Sequence, residues 1–514
     1  MAKIIKIQQQ LKKGFQALKH NDFSQALSIA TQILSYGNQL DALVLAGISA
    51  FHLRQYTQAE GYLEQAYREK TDDQTLQIYL LESYLKNSEY DKGVDLLDKI
   101  VTKSEKIIAI NLQFYLQKGE YLALVNLAEK QKASLQNYEM LAQGYEHLHN
   151  LKKAKIAANN CLQIKPTNFY GRMVLARLAL RKNQPKKAQK HLKIIQNTAL
   201  NPINLSIYYS LIAQCKEKQQ KFKAAFRHYK LSNEALKKSL KPQQISQQNY
   251  YSRTKLAQQL DYFRKVPQFH KFSNCQQNIT FMLGFPRSGT TLLENMLMAH
   301  SEIQSIEEQP LVAGMLQEFL SPNKSLQSLE QLTNNEITRL QNLYLDARDA
   351  YLQANNKPKS SIIIDKLPLN YIHIGILYRI FPNAQFIIST RDLRDVALSC
   401  YFQNFSLNAA MVNFLDWQNT VDYLQEIKQL GEHILNHYKL KYVVVEYEKL
   451  VEKPFNEIKK ILKLLDLDWQ ESIKNYRQDI KGRAIKTPSY SRVGQKIDQS
   501  QKQKWKNYKF VFKK

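Results

Sequence analysis

With 514 residues, 44% hydrophobic and 23% charged, the chain is long enough for two to four domains and apolar enough to pack them throughout. No stretch approaches the roughly 18 apolar residues that span a bilayer. The start, MAKIIKIQQQLKKGF, lacks an apolar core of secretory length, so a cytoplasmic protein is expected. The formal charge of +28 is unevenly placed: residues 151–250 hold 21 Lys+Arg against 2 Asp+Glu, whereas 1–150 hold 16 against 17. Such an excess draws an acidic peptide, a nucleic acid or an anionic lipid surface, or is simply a solvated face. No base-reading motif accompanies it, which argues against nucleic acid. The four cysteines, Cys161, Cys215, Cys275 and Cys400, are far apart, with no CxxC pair and no histidine at ligand spacing. Reduced, buried thiols and no metal site are expected.

Over residues 7–239 a small residue recurs in pairs twelve apart: Gly14 and Ala26, Gly47 and Ala59, Ala142 and Ala154, Ala176 and Ala188, Ala213 and Ala225. Each pair sits in a unit of about 34 residues that reads helix, turn, helix. Two antiparallel helices cross closely only where both side chains are small, and large apolar residues fill the rest of each face. The units near 73–106 and 107–134 are degenerate, with Gly93 keeping the second small position of the first. About seven units result. In length and in both small positions the unit resembles the tetratricopeptide repeat (TPR), and Pro166 falls at that family's turn position. The resemblance implies an all-α solenoid that presents a surface to a peptide or protein partner.

Residues 240–276 are polar and Gln-rich and read as a linker with a lead-in helix. The pattern then changes over 277–514. Asn278–Gly284 is a short apolar run ending in glycine, followed by PheProArgSerGlyThrThr at 285–291 and a helical stretch, LLENMLMAH. Strand, glycine loop, helix is the context of a phosphate-binding loop. A nucleoside triphosphatase would carry lysine where Thr290 stands, so ATP and GTP are disfavoured. Arg287 sits within the loop, where a guanidinium clamps an anion. Three more apolar runs follow: 361–365 leading to Lys366, 385–390 leading to Arg391, and 442–446 leading to Tyr447. Strands alternating with helices predict a parallel sheet with helices on both faces and ligands beyond the strands' carboxyl ends.

PRSGTT (286–291) resembles the 5′-phosphosulfate loop of sulfotransferases, and STRDLRDVALS (389–399) resembles their 3′-phosphate motif. Within that superfamily, PRSGTTLLENMLMAHSEIQSIEE is most similar to protein-tyrosine sulfotransferases and the bacterial TPR-sulfotransferases. The resemblance implies an α/β P-loop-type domain whose donor is 3′-phosphoadenosine 5′-phosphosulfate, with no metal. It implies that Arg287, Ser288, Gly289, Thr290 and Thr291 hold the 5′-phosphosulfate and that Arg391 and Ser399 hold the 3′-phosphate. Tyr447 matches a cofactor-contacting tyrosine, and Ser500 and Lys504 fall in the C-terminal cofactor segment beside Trp505. Glu308 matches the catalytic base and Lys366 the catalytic lysine; Arg287 joins Lys366 in stabilising the leaving group. Two positions depart: the family's arginine after the acidic pair is Pro310, and a second cofactor-contacting arginine is Gln403.

Each assignment has a plainer counterpart. Glu308 has the plainer reading of a helix N-terminal carboxylate, with Glu307 the rival base. Lys366 reads as a surface ion pair, and Arg391 as a partner of Asp365 or Asp395. His300 and His373 read as packed or turn residues. The expected function is sulfuryl transfer to a hydroxyl, protein tyrosine first, with an acidic peptide or protein drawn by the repeats and the basic segment 151–250. A carbohydrate or small-molecule acceptor and a non-catalytic, nucleotide-binding TPR scaffold are the alternatives.

Overall fold

The computed structural model describes residues 2–196, 198–240, 250–266, 269, 279–320, 325–355, 362–479, 497 and 499–512. The chain divides into two compact units, Met1–Pro166 and Thr167–Lys514.

The first unit is built from five helix pairs, from Ala2–Lys19 with Phe23–Leu34 to Leu135–His147 with Leu151–Ile164. The second unit begins with two more pairs, Phe169–Arg181 with Pro185–Ile194 and Pro202–Lys218 with Phe222–Lys237. Seven pairs match the seven repeats expected. Local chemistry starts many of the helices: Asp22, Asp73, Ser104, Ser134, Asn150, Asn168 and Asn201 each accept a backbone N–H of the first turn. A single left-handed residue reverses the chain inside every pair: Asn21, Arg54, Ser88, Gly119, His149, Asn183 and Gln220. The alanines of the repeat, Ala26, Ala59, Ala142, Ala154, Ala176, Ala188, Ala213 and Ala225, are all fully buried, as close helix crossings require.

The rest of the second unit wraps a five-stranded parallel sheet: β1 (Thr280–Gly284), β2 (Ile303–Glu307), β3 (Ile362–Lys366), β4 (Gln385–Thr390) and β5 (Lys441–Glu446), in the order β2-β3-β1-β4-β5. Four of these strands answer the apolar runs of the sequence. β2 was not foreseen, because IQSIE carries two polar residues; Gln304 and Ser305 are nonetheless buried. Alternate strand residues feed two cores. Phe281, Leu283, Phe386 and Ile388 face one, and Met282, Ile364, Ile387 and Val445 face the other. The helix Arg253–Lys265 belongs to the first core through Leu256 and Phe263. β1 connects toward β2 on one side while β4 connects toward β5 on the other. The edge between β1 and β4 is therefore the switch point, where loops diverge and a ligand can enter.

Candidate functional site

The loop after β1 lies at that switch point. Gly284 has φ +149°, and a Cβ there would stand 2.2 Å from the Ser389 carbonyl oxygen on β4, so only glycine lets the two strands end this close together. Gly289 caps the helix Thr290–Leu297 at φ +96°, and a Cβ there would meet the Tyr447 ring at 2.5 Å. Arg287 is itself left-handed, at φ +67°. A non-glycine residue in that region is uncommon and costs energy, and such strain collects at functional sites. The Ser288 hydroxyl is fully buried and donates to the Phe285 carbonyl at 2.6 Å, with the Ser389 hydroxyl 3.1 Å away. Its side chain therefore braces the loop, and an anion would meet backbone at this position. Thr290 and Thr291 form the first turn of the helix, whose positive end faces the loop.

β4 delivers the second cluster. Arg391 follows β4, and Ser399 lies on the helix Leu393–Tyr401, which Asp392 caps by accepting the Arg394 N–H at 2.9 Å. Arg287 Nε donates to Ser399 Oγ at 3.2 Å, and Arg391 Nη1 donates to the Arg287 carbonyl at 2.9 Å. Arg391 also stacks on the Tyr447 ring at 4.5 Å and donates through Nη2 to the Gln501 carbonyl at 2.6 Å. Its carboxylate neighbour is Asp395, at 3.9 Å. Arg287, Gly289, Arg391, Ser399 and Tyr447 thus form one cluster, reached from three different strands. Arg391 Nε is buried and has no hydrogen-bond partner among the described residues. A buried guanidinium N–H without an acceptor is costly, and an anionic oxygen is the kind of acceptor that would offset that cost.

The C-terminal segment closes over this cluster. Besides the Gln501 carbonyl on Arg391, the Trp505 N–H donates to Asp395 Oδ1 at 2.7 Å, and the Arg394 guanidinium lies 3.4 Å over the Trp505 ring. Ser500 accepts from Gln501 Nε2 at 3.2 Å. Lys504 points elsewhere: its ammonium pairs with Glu217 of the helix Pro202–Lys218. Gln403 donates to the Asn404 carbonyl and brings no cation to the cluster.

A third group gathers around Lys366 at the end of β3. Its ammonium is fully buried and lies 3.0 Å from Glu308, 3.2 Å from Glu294 and 3.7 Å from Glu307. Burial pulls the ammonium's pKa down, but Glu294, Glu308 and Glu307 together raise it above its ordinary value, so Lys366 stays charged. The plainer reading of Lys366 as a surface ion pair is therefore corrected: the pair is interior. Glu308 follows β2 at φ +49°, its N–H donating to the Lys366 carbonyl at 2.8 Å, and does not sit at a helix N-terminus. Its side chain keeps 40% of its surface exposed, enough for a substrate hydroxyl to reach it. Glu294 is buried on the loop helix, where Ser305 donates to it at 2.5 Å. Burial pushes its carboxyl up to about 7, with Lys366 opposing. Sequence reasoning passed over Glu294, although it is the one charged residue in TTLLENML and a charge in an apolar helix signals a buried partner.

Asp365, next along β3, faces the opposite core. It pairs in register with Phe281 and is wholly buried near Tyr344. Arg391 therefore pairs with Asp395 and not with Asp365. Burial pushes the Asp365 carboxyl up to about 7 from an ordinary 3.8, against the Tyr344 hydroxyl, which lowers it. The native state then holds a proton that the unfolded chain releases between pH 4 and 7. The contribution of Asp365 to stability is greatest below pH 4, falls as pH rises, and levels off above 7. The expected loss is on the order of 4 kcal/mol at about 1.4 kcal/mol per unit. Asp365→Asn should remove it, so its advantage over the parent in urea denaturation should grow from pH 5 to pH 8; equal curves at both values would refute the assignment.

His300 accepts the Glu302 N–H and contacts the Asp468 carbonyl at 3.0 Å; His373 is fully buried beside Gln259, its pKa lowered to about 3 by desolvation. Both are packing residues. Cys161, Cys215 and Cys400 are free and buried, and Cys275 lies outside the described residues. No group of three or more His, Cys, Asp or Glu side chains that could hold a metal occurs among the described residues.

The Sulfotransferase family profile matches residues 280–471. A putative protein-tyrosine sulfotransferase of Caenorhabditis briggsae is 30% identical over 210 residues, covering 40% of this chain and 71% of the relative. An uncharacterized protein of Aquifex aeolicus is 30% identical over 239 residues, covering 44% of this chain, and the chain spans only 30% of that relative's length. The sulfotransferase domain of the Synechococcus PCC 7002 olefin synthase superposes at a TM-score of 0.33 with 23% identity, over 46% of this chain and 91% of that domain.

Proposed function

We propose that this chain, which belongs to the sulfotransferase family, moves a sulfuryl group from 3′-phosphoadenosine 5′-phosphosulfate to a hydroxyl, protein tyrosine being the acceptor class. The observation that carries the reading is Arg287. Its Nε meets Ser399 of the second motif and its carbonyl accepts Arg391, so one loop residue ties the 5′ and 3′ ends of a nucleotide site together. In this reading Arg287, Ser288, Gly289, Thr290 and Thr291 hold the phosphosulfate, Ser288 through its backbone. Arg391 and Ser399 hold the 3′-phosphate, Tyr447 backs Arg391, and Ser500 lies in the covering segment.

The chemistry follows from the charges. The acceptor oxygen forms a bond to sulfur while the bond from sulfur to the bridging phosphate oxygen breaks, and the hydroxyl proton passes to Glu308. Negative charge grows on the departing bridging oxygen. Arg287 and the helix N-terminus answer it, and Lys366 can do so because its ammonium is fixed and charged. Glu294 and Glu307 hold Lys366 when Glu308 has taken the proton and become neutral. The tyrosine acceptor is supported by the Glu308–Lys366 pair and by similarity to protein-tyrosine sulfotransferases at 24% to 30% identity. The basic repeats complement an acidic peptide. The TPR-like pairs are read as its docking surface or that of another partner. Among the described residues no helix is long and apolar enough to cross a membrane.

The test is transfer of labelled sulfate from the purified donor to acidic tyrosine peptides beside a glycan panel, with Arg287→Ala as control. Label on tyrosine that the substitution abolishes is the expected result. Label on glycans alone would move the acceptor class, and no binding of the donor would refute the reading.

A further inference from the structure

The last helix pair of the repeat array is bolted to the donor cluster by contacts within the second unit. Asn233 Nδ2 donates to the Tyr401 carbonyl at 3.0 Å, at the end of the helix that carries Ser399. Ser232 donates to Asn404 Oδ1 at 3.0 Å, and the Tyr229 ring stacks on Phe402 at 3.9 Å and 11°. The fully buried Tyr508 of the C-terminal segment packs edge-on against Phe222 of the repeat at 5.3 Å and at a tilt against Phe402 at 5.1 Å. Among the described residues ion pairs also join the last helix pair to the rest of the unit: Lys237 with Asp416 at 3.7 Å, and Lys504 with Glu217, both side chains of the latter about 20% exposed, while the Tyr229 hydroxyl donates to the other Glu217 oxygen at 3.0 Å. Glu217 is one of only two acidic residues between 151 and 250. A carboxylate in so basic a stretch, held from two sides, is placed for a purpose other than solvation.

We infer that Glu217, on the last repeat, is a positioning residue of the donor site: it fixes Lys504 and with it the segment whose Gln501 carbonyl holds Arg391. The inference rests on the donor reading given above. The path is short. Lys504 lies three residues after Gln501, whose carbonyl accepts from Arg391 Nη2, and one residue before Trp505, whose N–H donates to Asp395 and whose ring carries Arg394. Pinning Lys504 therefore sets both ends of the Arg391 environment. The last repeat thus supports the nucleotide site through the segment, and a partner that moves the Pro202–Lys218 helix changes donor affinity. This differs from a direct role for Lys504 on a phosphate. A lysine bound to Glu217 acts through the segment; a lysine bound to phosphate would bind better once Glu217 released it.

The experiment titrates the full chain with adenosine 3′,5′-bisphosphate at 0.15 M salt by calorimetry. Glu217→Gln and Lys504→Met should each weaken binding about tenfold, and the double variant should weaken it no further, as for two residues in one contact. Exchanging the charges, Glu217→Lys with Lys504→Glu, should recover most of the loss. In the transfer assay Glu217→Gln should raise the KM for the donor and leave kcat at saturating donor unchanged, a split that general destabilisation does not produce. Parent-like or tighter binding by Glu217→Gln overturns the inference alone, and so does a double variant whose losses add. Should Glu217→Gln fail to fold, Lys504→Met and the charge exchange carry the same expectations. A parent chain that binds no adenosine bisphosphate sinks the donor reading itself and this inference with it.

Discussion

Glu308→Gln should lower single-turnover sulfuryl transfer by about 10³-fold, within the range general-base catalysis contributes, and leave adenosine bisphosphate binding intact. The substitution is close to isosteric. The glutamine carbonyl still accepts from the Lys366 ammonium, now 3.0 Å from Glu308, and the backbone hydrogen bond from residue 308 to the Lys366 carbonyl does not depend on the side chain. What is lost is the site that receives the acceptor's proton. Glu307, the rival, stands 3.7 Å from the ammonium with 29% of its side chain exposed, against 40% for Glu308. Glu307→Gln should therefore cost less than about tenfold, by loosening Lys366 rather than by removing the base. Parent-like turnover by Glu308→Gln would refute the assignment, and a reversed order of the two variants would hand the role to Glu307.

Much of this arrangement was legible in the sequence because it is written in local patterns. Paired small residues twelve apart gave the helix crossings, since five concordant pairs at a period of about 34 residues mark close contacts between helices. The strand–glycine loop–helix order gave the phosphate loop. Arg391 and Ser399 followed from a motif eight residues apart on one helix and its approach. What stayed hidden depends on partners far away in the chain. The turns inside the helix pairs are all left-handed, yet only Gly119 and the two asparagines, Asn21 and Asn183, advertise it; Arg54, His149 and Gln220 adopt the conformation because the helices they join are already packed. β2 was missed because Gln304 and Ser305 are polar yet buried: Ser305 donates to Glu294, and a strand with such residues does not alternate apolar with polar. Glu294 and Glu217 were passed over for the same reason. A buried carboxylate is intelligible only beside its lysine, and Lys366 and Lys504 lie 72 and 287 residues further along.

Arg391→Ala should weaken adenosine 3′,5′-bisphosphate binding by about 10²–10³-fold, more than any other single change in the second motif, because a charge-assisted contact and a scaffold are removed together. The guanidinium carries the Arg287 carbonyl at 2.9 Å, the Gln501 carbonyl at 2.6 Å and the Tyr447 ring at 4.5 Å. Its loss therefore frees the loop backbone, the C-terminal segment and the aromatic wall at once. Ser399→Ala removes one hydroxyl, which takes Arg287 Nε at 3.2 Å, and should cost about tenfold, the worth of one hydrogen bond to a charged group. Arg391→Lys tests which part of the arginine matters. A lysine keeps the positive charge, but it cannot address two carbonyls and a ring face through one planar fork. It should recover less than half of the lost binding free energy. Full recovery would show that charge alone is read at the 3′ end and that the fork is incidental. The comparison also separates the two motifs. If Arg287 and Arg391 act as one cluster, the double alanine variant should lose less than the sum of the two single losses, whereas independent sites would add.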